Sequence, residues 1–241
     1  MSTDPIDGTL HRALSVELKR IEEAYAKRGN RSQYDLSNPA FLLTVQEREG
    51  RLLRLLARHG IRSLENTRIL EVGCGTGNWL RDFVRWGARP ENIWGIDLLP
   101  ARIAEAGELC PAGVTLRCRD STSLDVPDES FDLVLQSTVF SSILSADVKR
   151  LLAREMLRVV GQRGLIVWYD FHVNNPWNPD VRGIGRKEIA QLFPNCHISL
   201  QKLTLAPPIG RRVASVSSLL YRALSCIQPL CTHFLGAITK P

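Results

Sequence analysis

The sequence predicts an α/β fold: a doubly wound, mostly parallel sheet with helices on both faces, behind an N-terminal helical cap. Three observations carry this expectation. Short apolar runs alternate with helical patterns between residues 68 and 171, as strands joined by crossover helices do. The first run passes straight into a glycine-rich loop that opens a helix. The first 60 residues differ in texture, with apolar positions three and four apart and no strand-like run.

Taken in order, residues 9–29 read as an amphipathic helix with Leu10, Leu14, Leu18 and Ile21 on one face. The polar stretch "NRSQYDLSNP" then connects to a second helix, opened by Pro39 and closed by Gly60. The expected strands are "RILEV" (68–72), "NIWGID" (92–97), "VTLRC" (114–118), "FDLVLQ" (131–136) and "GLIVWYDF" (164–171), with helices at 78–86, 100–109 and 147–160. Beyond these, "HISLQKLTLA" and "THFLGAITK" read as two further strands around a helix at 215–227. The domain division is a helical cap over 1–60 and a core over 61–241.

Composition narrows the function classes. With 241 residues, 44% of them hydrophobic, the chain can bury one sizeable core. Its six cysteines form no C-x-x-C pair, so neither zinc spacing nor a redox pair is present, no metal is expected, and a reduced, cytoplasmic setting is. No apolar run is long enough to span a bilayer, and the N-terminus lacks the apolar core of a signal peptide. The net charge of +6 is uneven: residues 182–241 carry eight Lys/Arg against the single acid Glu188. That basic end is either a solvated face or an attraction for an anionic acceptor or a peripheral membrane contact.

The loop "EVGCGTGNW" holds Gly73, Gly75 and Gly77 between a strand and a helix. Glycines there let the chain turn tightly and let a ligand approach the backbone, and the helix at Asn78 offers free N–H groups. Asp97 ends the next strand, where a carboxylate can hold the two hydroxyls of a ribose. A phosphate-cradling P-loop is excluded by the missing Gly-Lys-Ser/Thr. A dinucleotide loop is opposed by Asn78, and the Tyr-x-x-x-Lys pair of one large dehydrogenase group is missing, which leaves an NAD-dependent oxidoreductase as an alternative class.

The pattern E-x-G-x-G-x-G resembles the first motif of class I S-adenosylmethionine-dependent methyltransferases. Further segments follow in the family's order: "GIDLL", "RDSTSLDVPDESFDLVL" and "VLQSTVF". The resemblance covers about residues 66–171 and implies a Rossmann-like seven-stranded sheet whose last strand is antiparallel, with S-adenosyl-L-methionine as cofactor. It implies that Glu71, Gly73, Gly75, Gly77 and Asn78 serve the amino-acid end, Asp97 and Leu98 the ribose, Asp120 and Ser121 the adenine, and Gln136 the methionine side. In small-molecule members an N-terminal extension covers the cofactor, so Tyr25, Arg31 and Tyr34, expected in the turn between the first two helices, reach toward the methionine end or the substrate.

The acceptor is expected at the carboxyl edge of the sheet. Thr138 and Phe140 stand after the fourth strand, and Tyr169, Asp170, His172, Asn175 and Trp177 run out of the fifth. Thr138, Phe140, Tyr169, Asn175 and Trp177 are the candidate substrate residues, with a self-bonded Asn turn and Trp177 plugging the core as the structural alternative. His172 is the candidate general base, oriented or replaced by Asp170. "NPW" at 175–177 follows the wrong strand for the N-P-P-aromatic signature of amino-group methyltransferases. The expected acceptor is therefore a small molecule, glycan or lipid-linked group methylated on oxygen, with no nucleic acid. A nucleic-acid or protein methyltransferase, and a non-catalytic cofactor-binding partner subunit, are the alternatives.

Overall fold

The computed structural model describes the backbone of residues 5–27 and 35–241, with side chains from residue 13 onward in the first segment. A seven-stranded sheet forms its centre: β1 (Ile69–Val72), β2 (Ile93–Asp97), β3 (Thr115–Cys118), β4 (Phe131–Ser137), β5 (Val160–Phe171), β6 (His197–Leu205) and β7 (Cys231–Thr239). Their order across the sheet is β3-β2-β1-β4-β5-β7-β6. The pairs from β3 to β5 are parallel, and β7 runs antiparallel to both β5 and β6. Because β7 is reversed between them, β6 points the same way as β5. The carboxyl ends of all six other strands, and the start of β7, therefore meet at one edge.

Helices α1 (Pro5–Ala26), α2 (Pro39–Arg58), α3 (Asn78–Arg85), α4 (Pro100–Leu109), α5 (Ala146–Val159), α6 (Arg186–Leu192), α7 (Pro207–Ala214) and α8 (Ser218–Ser225) surround the sheet. Strand alternation sends Leu70, Val134, Ile166 and Trp168 to a core shared with α5, and Ile69, Leu133, Leu135 and Val167 to a core on the other face. That second core takes in Leu52, Leu55 and Leu56 of α2. Each such side chain contributes about 1.5–3 kcal/mol on burial, so α2 is part of the folded core, while α1 packs Leu14 and Ile21 against the core on the α5 side. Local capping sets the helix starts. Asn38 accepts the Ala40 N–H at 3.0 Å with Pro39 following, and Ser145 accepts the Val148 N–H at 3.4 Å.

Three expectations about elements change. The helix expected over 215–227 is α8, capped by the Ser217 hydroxyl accepting the Leu220 N–H at 3.2 Å, and a further, unexpected helix, α7, opens before it at Pro207 and Pro208. Tyr25 lies in the last turn of α1 rather than in the following turn. β5 begins at Val160, four residues earlier than its apolar run. Tyr34 and Arg31 lie outside the described residues.

Candidate cofactor and acceptor site

At the carboxyl edge, β1 delivers the glycine loop against β2. The N–H groups of Gly73 and Cys74 both donate to the Ile96 carbonyl, at 2.7 and 2.9 Å. Gly75 N–H donates to Asp97 Oδ2 at 2.8 Å, and Leu99 N–H donates to Asp97 Oδ1 at 2.9 Å. The Asp97 carboxylate, 7% exposed, is thus fixed at both oxygens, and each oxygen keeps acceptor capacity for a hydroxyl.

The glycines divide by cause. At Gly73 (φ 69°) a Cβ would stand 2.4 Å from Val139 Cγ2, and at Gly77 (φ 76°) 2.5 Å from Cys110 Sγ, so the fold itself requires both. Gly75 meets only the flexible Arg102 guanidinium, at 3.1 Å, and it is the residue whose open side faces away from the fold's own packing.

Two buried polar atoms near the loop have no partner: Glu71 Oε2 at the end of β1 and Gln136 Nε2 at the end of β4. Their strands are neighbours, but Leu135 stands opposite Glu71 and Val72 opposite Gln136, so alternation sends the two side chains to opposite faces of the sheet. Burial pushes the Glu71 carboxyl well up, Arg48 and Arg81 pull it back, and Asp97 and Asp82 push it further. An orphaned carboxyl oxygen suits a donor such as an amino group, and an orphaned amide N–H suits an acceptor, each on its own side of the β1–β4 edge. The donor set therefore fits S-adenosyl-L-methionine, with Asp97 for the ribose and the loop for the methionine part. Asn78 is exposed as the first residue of α3, its side chain taken by Arg81. Asp120 accepts the Thr122 N–H at 2.9 Å and the Thr122 hydroxyl at 2.8 Å, a self-bonded turn. Leu98 and Ser121 are half-buried beside these two turns.

α1 lies across this edge. Its Glu17 accepts the Leu144 N–H at 2.6 Å, Arg20 donates to Glu17 at 2.8 Å and to the Ser142 carbonyl, and the Arg102 guanidinium stands 4.4 Å over the Tyr25 ring. The helix thereby joins the segment after β4 to the first turn of α4. Burial raises the Glu17 carboxyl, and its bonds to Arg20 and Leu144 outweigh that and hold it low.

Several acceptor-side expectations are corrected. Phe140 does not line a pocket: it is fully buried, 4.7 Å from Trp168 and 6.3 Å from Phe193. Tyr169 points to the α2 face, where its hydroxyl bonds Thr204 at 2.8 Å and its ring stacks on His233. Trp177 neither plugs the core nor packs; it is 83% exposed. Asn175 accepts the Trp177 N–H at 3.1 Å, so this loop is the self-bonded turn. Asp170 and His172 share one face of β5 by alternation, yet Asp170 does not orient the ring. Its carboxylate, fully buried, accepts the Ser141 N–H at 3.1 Å and the Phe171 N–H at 2.8 Å, and burial raises its pKa to about 6. His172 instead places Nε2 at 2.9 Å from the Cys231 carbonyl and stacks on Phe234. A carbonyl only accepts, so Nε2 carries the proton and Nδ1 the lone pair. Burial lowers the His172 pKa, keeping the ring neutral at neutral pH.

Thr138 holds a left-handed φ of 58° directly after β4, beside the glycine loop, a conformation costly for a β-branched residue and concentrated at functional sites. Sequence reasoning named Thr138 for its hydroxyl, which instead donates to the Ser137 carbonyl at 2.7 Å. Arg102 and Arg20 were missed; their spacing in helices carries no signal that they close over a neighbouring loop. Cys74, buried beneath the loop with its thiol pKa raised by burial, is a packing residue. Among the described residues no cluster of His, Cys, Asp and Glu could hold a metal ion, and no helix is long and apolar enough to cross a membrane.

A family model described as a methyltransferase domain matches residues 69–164. The chain is 28% identical over 133 residues to a tRNA N(3)-cytidine methyltransferase, METTL2 of Gallus gallus; the match takes in 52% of this chain and 32% of that protein. It thus spans about a third of the curated relative's length. Among solved structures it resembles an S-adenosylmethionine-dependent methyltransferase from Mesorhizobium loti, with a TM-score of 0.57 and 19% identity over 79% of this chain and 97% of that one. It also resembles the [4+2]-cyclase SpnF, with a TM-score of 0.59 and 19% identity over 79% and 81% of the two chains. At such identities these structures speak for the fold.

Proposed function

We propose that the chain, whose residues 69–164 match a methyltransferase domain, is an S-adenosyl-L-methionine-dependent methyltransferase that methylates an oxygen of a small-molecule, glycan or lipid-linked acceptor. The observation behind this choice is the cover. With α1 braced on Ser142, Leu144 and Arg102, the entrance favours a compact acceptor over a long strand.

Bound in the glycine loop, the cofactor supplies an electrophilic methyl on a positively charged sulfur. The chain's own work is holding and excluding. Asp97 and Glu71 fix the ligand at two ends, and α1 keeps water out. Positioning the acceptor oxygen within about 3 Å and in line supplies most of the rate. His172 is the proposed base: its Nδ1 lone pair takes the hydroxyl proton, while the Cys231 carbonyl holds the ring. Asp170 supports the turn after β4 through Ser141.

A second reading is methylation of a nucleic-acid base, favoured by the likeness to the tRNA methyltransferase. The deciding experiment incubates the protein with radiolabelled S-adenosylmethionine and, separately, tRNA and a panel of hydroxyl-bearing small molecules, glycans and glycolipids. Label in a hydroxyl acceptor is expected. Label in tRNA alone would replace the first reading with the second. Cofactor binding with no labelled product from any of them would speak for a non-methylating role, as the SpnF fold already accommodates a cyclase.

A further inference from the structure

The segment between β6 and β7 is the most unusual surface of the described molecule. It leaves the sheet at the carboxyl edge, beside the loop that follows β5. Its inner side is firmly seated: Tyr221 is buried with Ala40, Leu205 and Ala214, and its hydroxyl bonds Thr44 of α2 at 2.9 Å. Its outer side is apolar. Val216 is 79% exposed, Leu219 78%, Leu220 46% and Ile227 46%. A rigid element thus presents four aliphatic side chains to solvent within twelve residues, and such contiguous patches mark interaction sites.

The charge around them has one sign. Arg211 and Arg212 end α7 and Arg222 lies on α8; none of them forms an ion pair among the described residues. No acid occurs anywhere after Glu188. A cavity of about 240 Å³ beneath α8 is lined by Arg51, Arg54 and Arg222, with Glu47 on its wall. Burial pushes the Glu47 carboxyl up, which reduces its negative charge, while Arg51 counters that rise. Trp177, exposed on the β5 loop, belongs to the same edge.

We propose that the α7–α8 insert docks this protein on an anionic lipid bilayer, with the Val216, Leu219, Leu220 and Ile227 side chains entering the interface and Arg211, Arg212 and Arg222 meeting lipid phosphates. Aliphatic side chains ringed by cations are what interfacial elements use, and an exposed tryptophan suits the headgroup level. A nucleic-acid surface would instead present aromatic platforms among the arginines, and the exposed residues of this insert are aliphatic. A second copy of the chain would bring the same arginines face to face with no acid to pair them. Docked in this way, the carboxyl edge of the sheet faces the membrane, where a lipid-linked acceptor lies.

The test is co-sedimentation of the full chain with vesicles of phosphatidylcholine alone and of phosphatidylcholine mixed with phosphatidylglycerol. Binding to the mixed vesicles only, weakened by salt, is the expected result. The triple variant Arg211→Gln, Arg212→Gln, Arg222→Gln should bind about 100-fold more weakly. The double variant Leu219→Ser, Leu220→Ser should lose binding while keeping its thermal unfolding, since both side chains are exposed. Equal binding to both vesicle types, or to neither, overturns the proposal. So does a dimer in sedimentation equilibrium that the Leu219, Leu220 variant dissolves, or binding to tRNA that the arginine variant abolishes without any vesicle binding. No turnover is measured, so failure here leaves the methyl-transfer reading standing.

Discussion

The Asp97 carboxylate holds the glycine loop through Gly75 and the next turn through Leu99, and in the proposed function its remaining lone pairs take a ribose. Removing it should cost two charge-assisted hydrogen bonds, each worth about 1.5–3 kcal/mol. Asp97→Ala is therefore expected to weaken S-adenosylmethionine binding at least about tenfold by titration calorimetry; unchanged affinity in a folded variant would falsify the ribose role. His172 makes a different prediction. His172→Ala should leave cofactor affinity intact and lower turnover about 10²–10⁴-fold. A loss under about tenfold would mean that positioning alone drives the transfer.

At the scale of elements, α1 and α2 differ. α2 buries leucines in the core beneath β1, whereas α1 packs Leu14 and Ile21 more shallowly on the α5-side core and adds Glu17, Arg20 and Tyr25 at the ligand edge. The two partly buried apolar contacts and polar braces of α1 hold it less firmly than the fully buried leucines hold α2, so α1 is the element expected to open first. Deleting residues 1–38 removes α1 and the Asn38 cap but retains α2 from Pro39. The truncated protein is expected to unfold cooperatively with a modest loss of stability, yet to bind S-adenosylmethionine more weakly and turn over slowly. If it binds the cofactor as well as the full chain does, α1 is not a cover.

For the molecule as a whole, acid stability depends on groups buried with the wrong charge preference. His233, sandwiched by Tyr169 and Phe171, has its pKa pushed down to about 3 by burial, with Arg48 and His172 adding repulsion. The unfolded chain takes that proton near 6.5. The stability His233 contributes is thus complete above about 6.5 and lost as the pH falls toward 3. Asp170 works the other way, since its raised pKa of about 6 favours the folded state as the pH drops from 6 to 4. Burial of Glu71 acts in the same direction as Asp170. His233→Phe should therefore gain on the wild type by close to tenfold in the folding constant for each pH unit below 6. Urea unfolding at pH 7 and pH 5 measures this, and a difference that does not change with pH would show His233 to be uncoupled from folding.

The alternation of apolar runs, the strand–glycine–helix junction and the acid ending β2 are local patterns, and the sequence alone determined from them the sheet, its cofactor edge and the position of Asp97. Periodicity and spacing record what one element needs of itself. What they cannot carry is which distant residues meet. Only the tertiary structure placed Arg20 on the segment after β4 and Arg102 beside Gly75, turned Tyr169 to the α2 face and Phe140 into the core, and left Trp177 in solvent. The same holds for Asp170 and His172: two residues spaced for one face read as a pair, but each takes a long-range partner from another element, Ser141 for Asp170 and Cys231 for His172. Long-range packing chose those partners, because a buried donor or acceptor takes whichever partner the fold brings within about 3 Å.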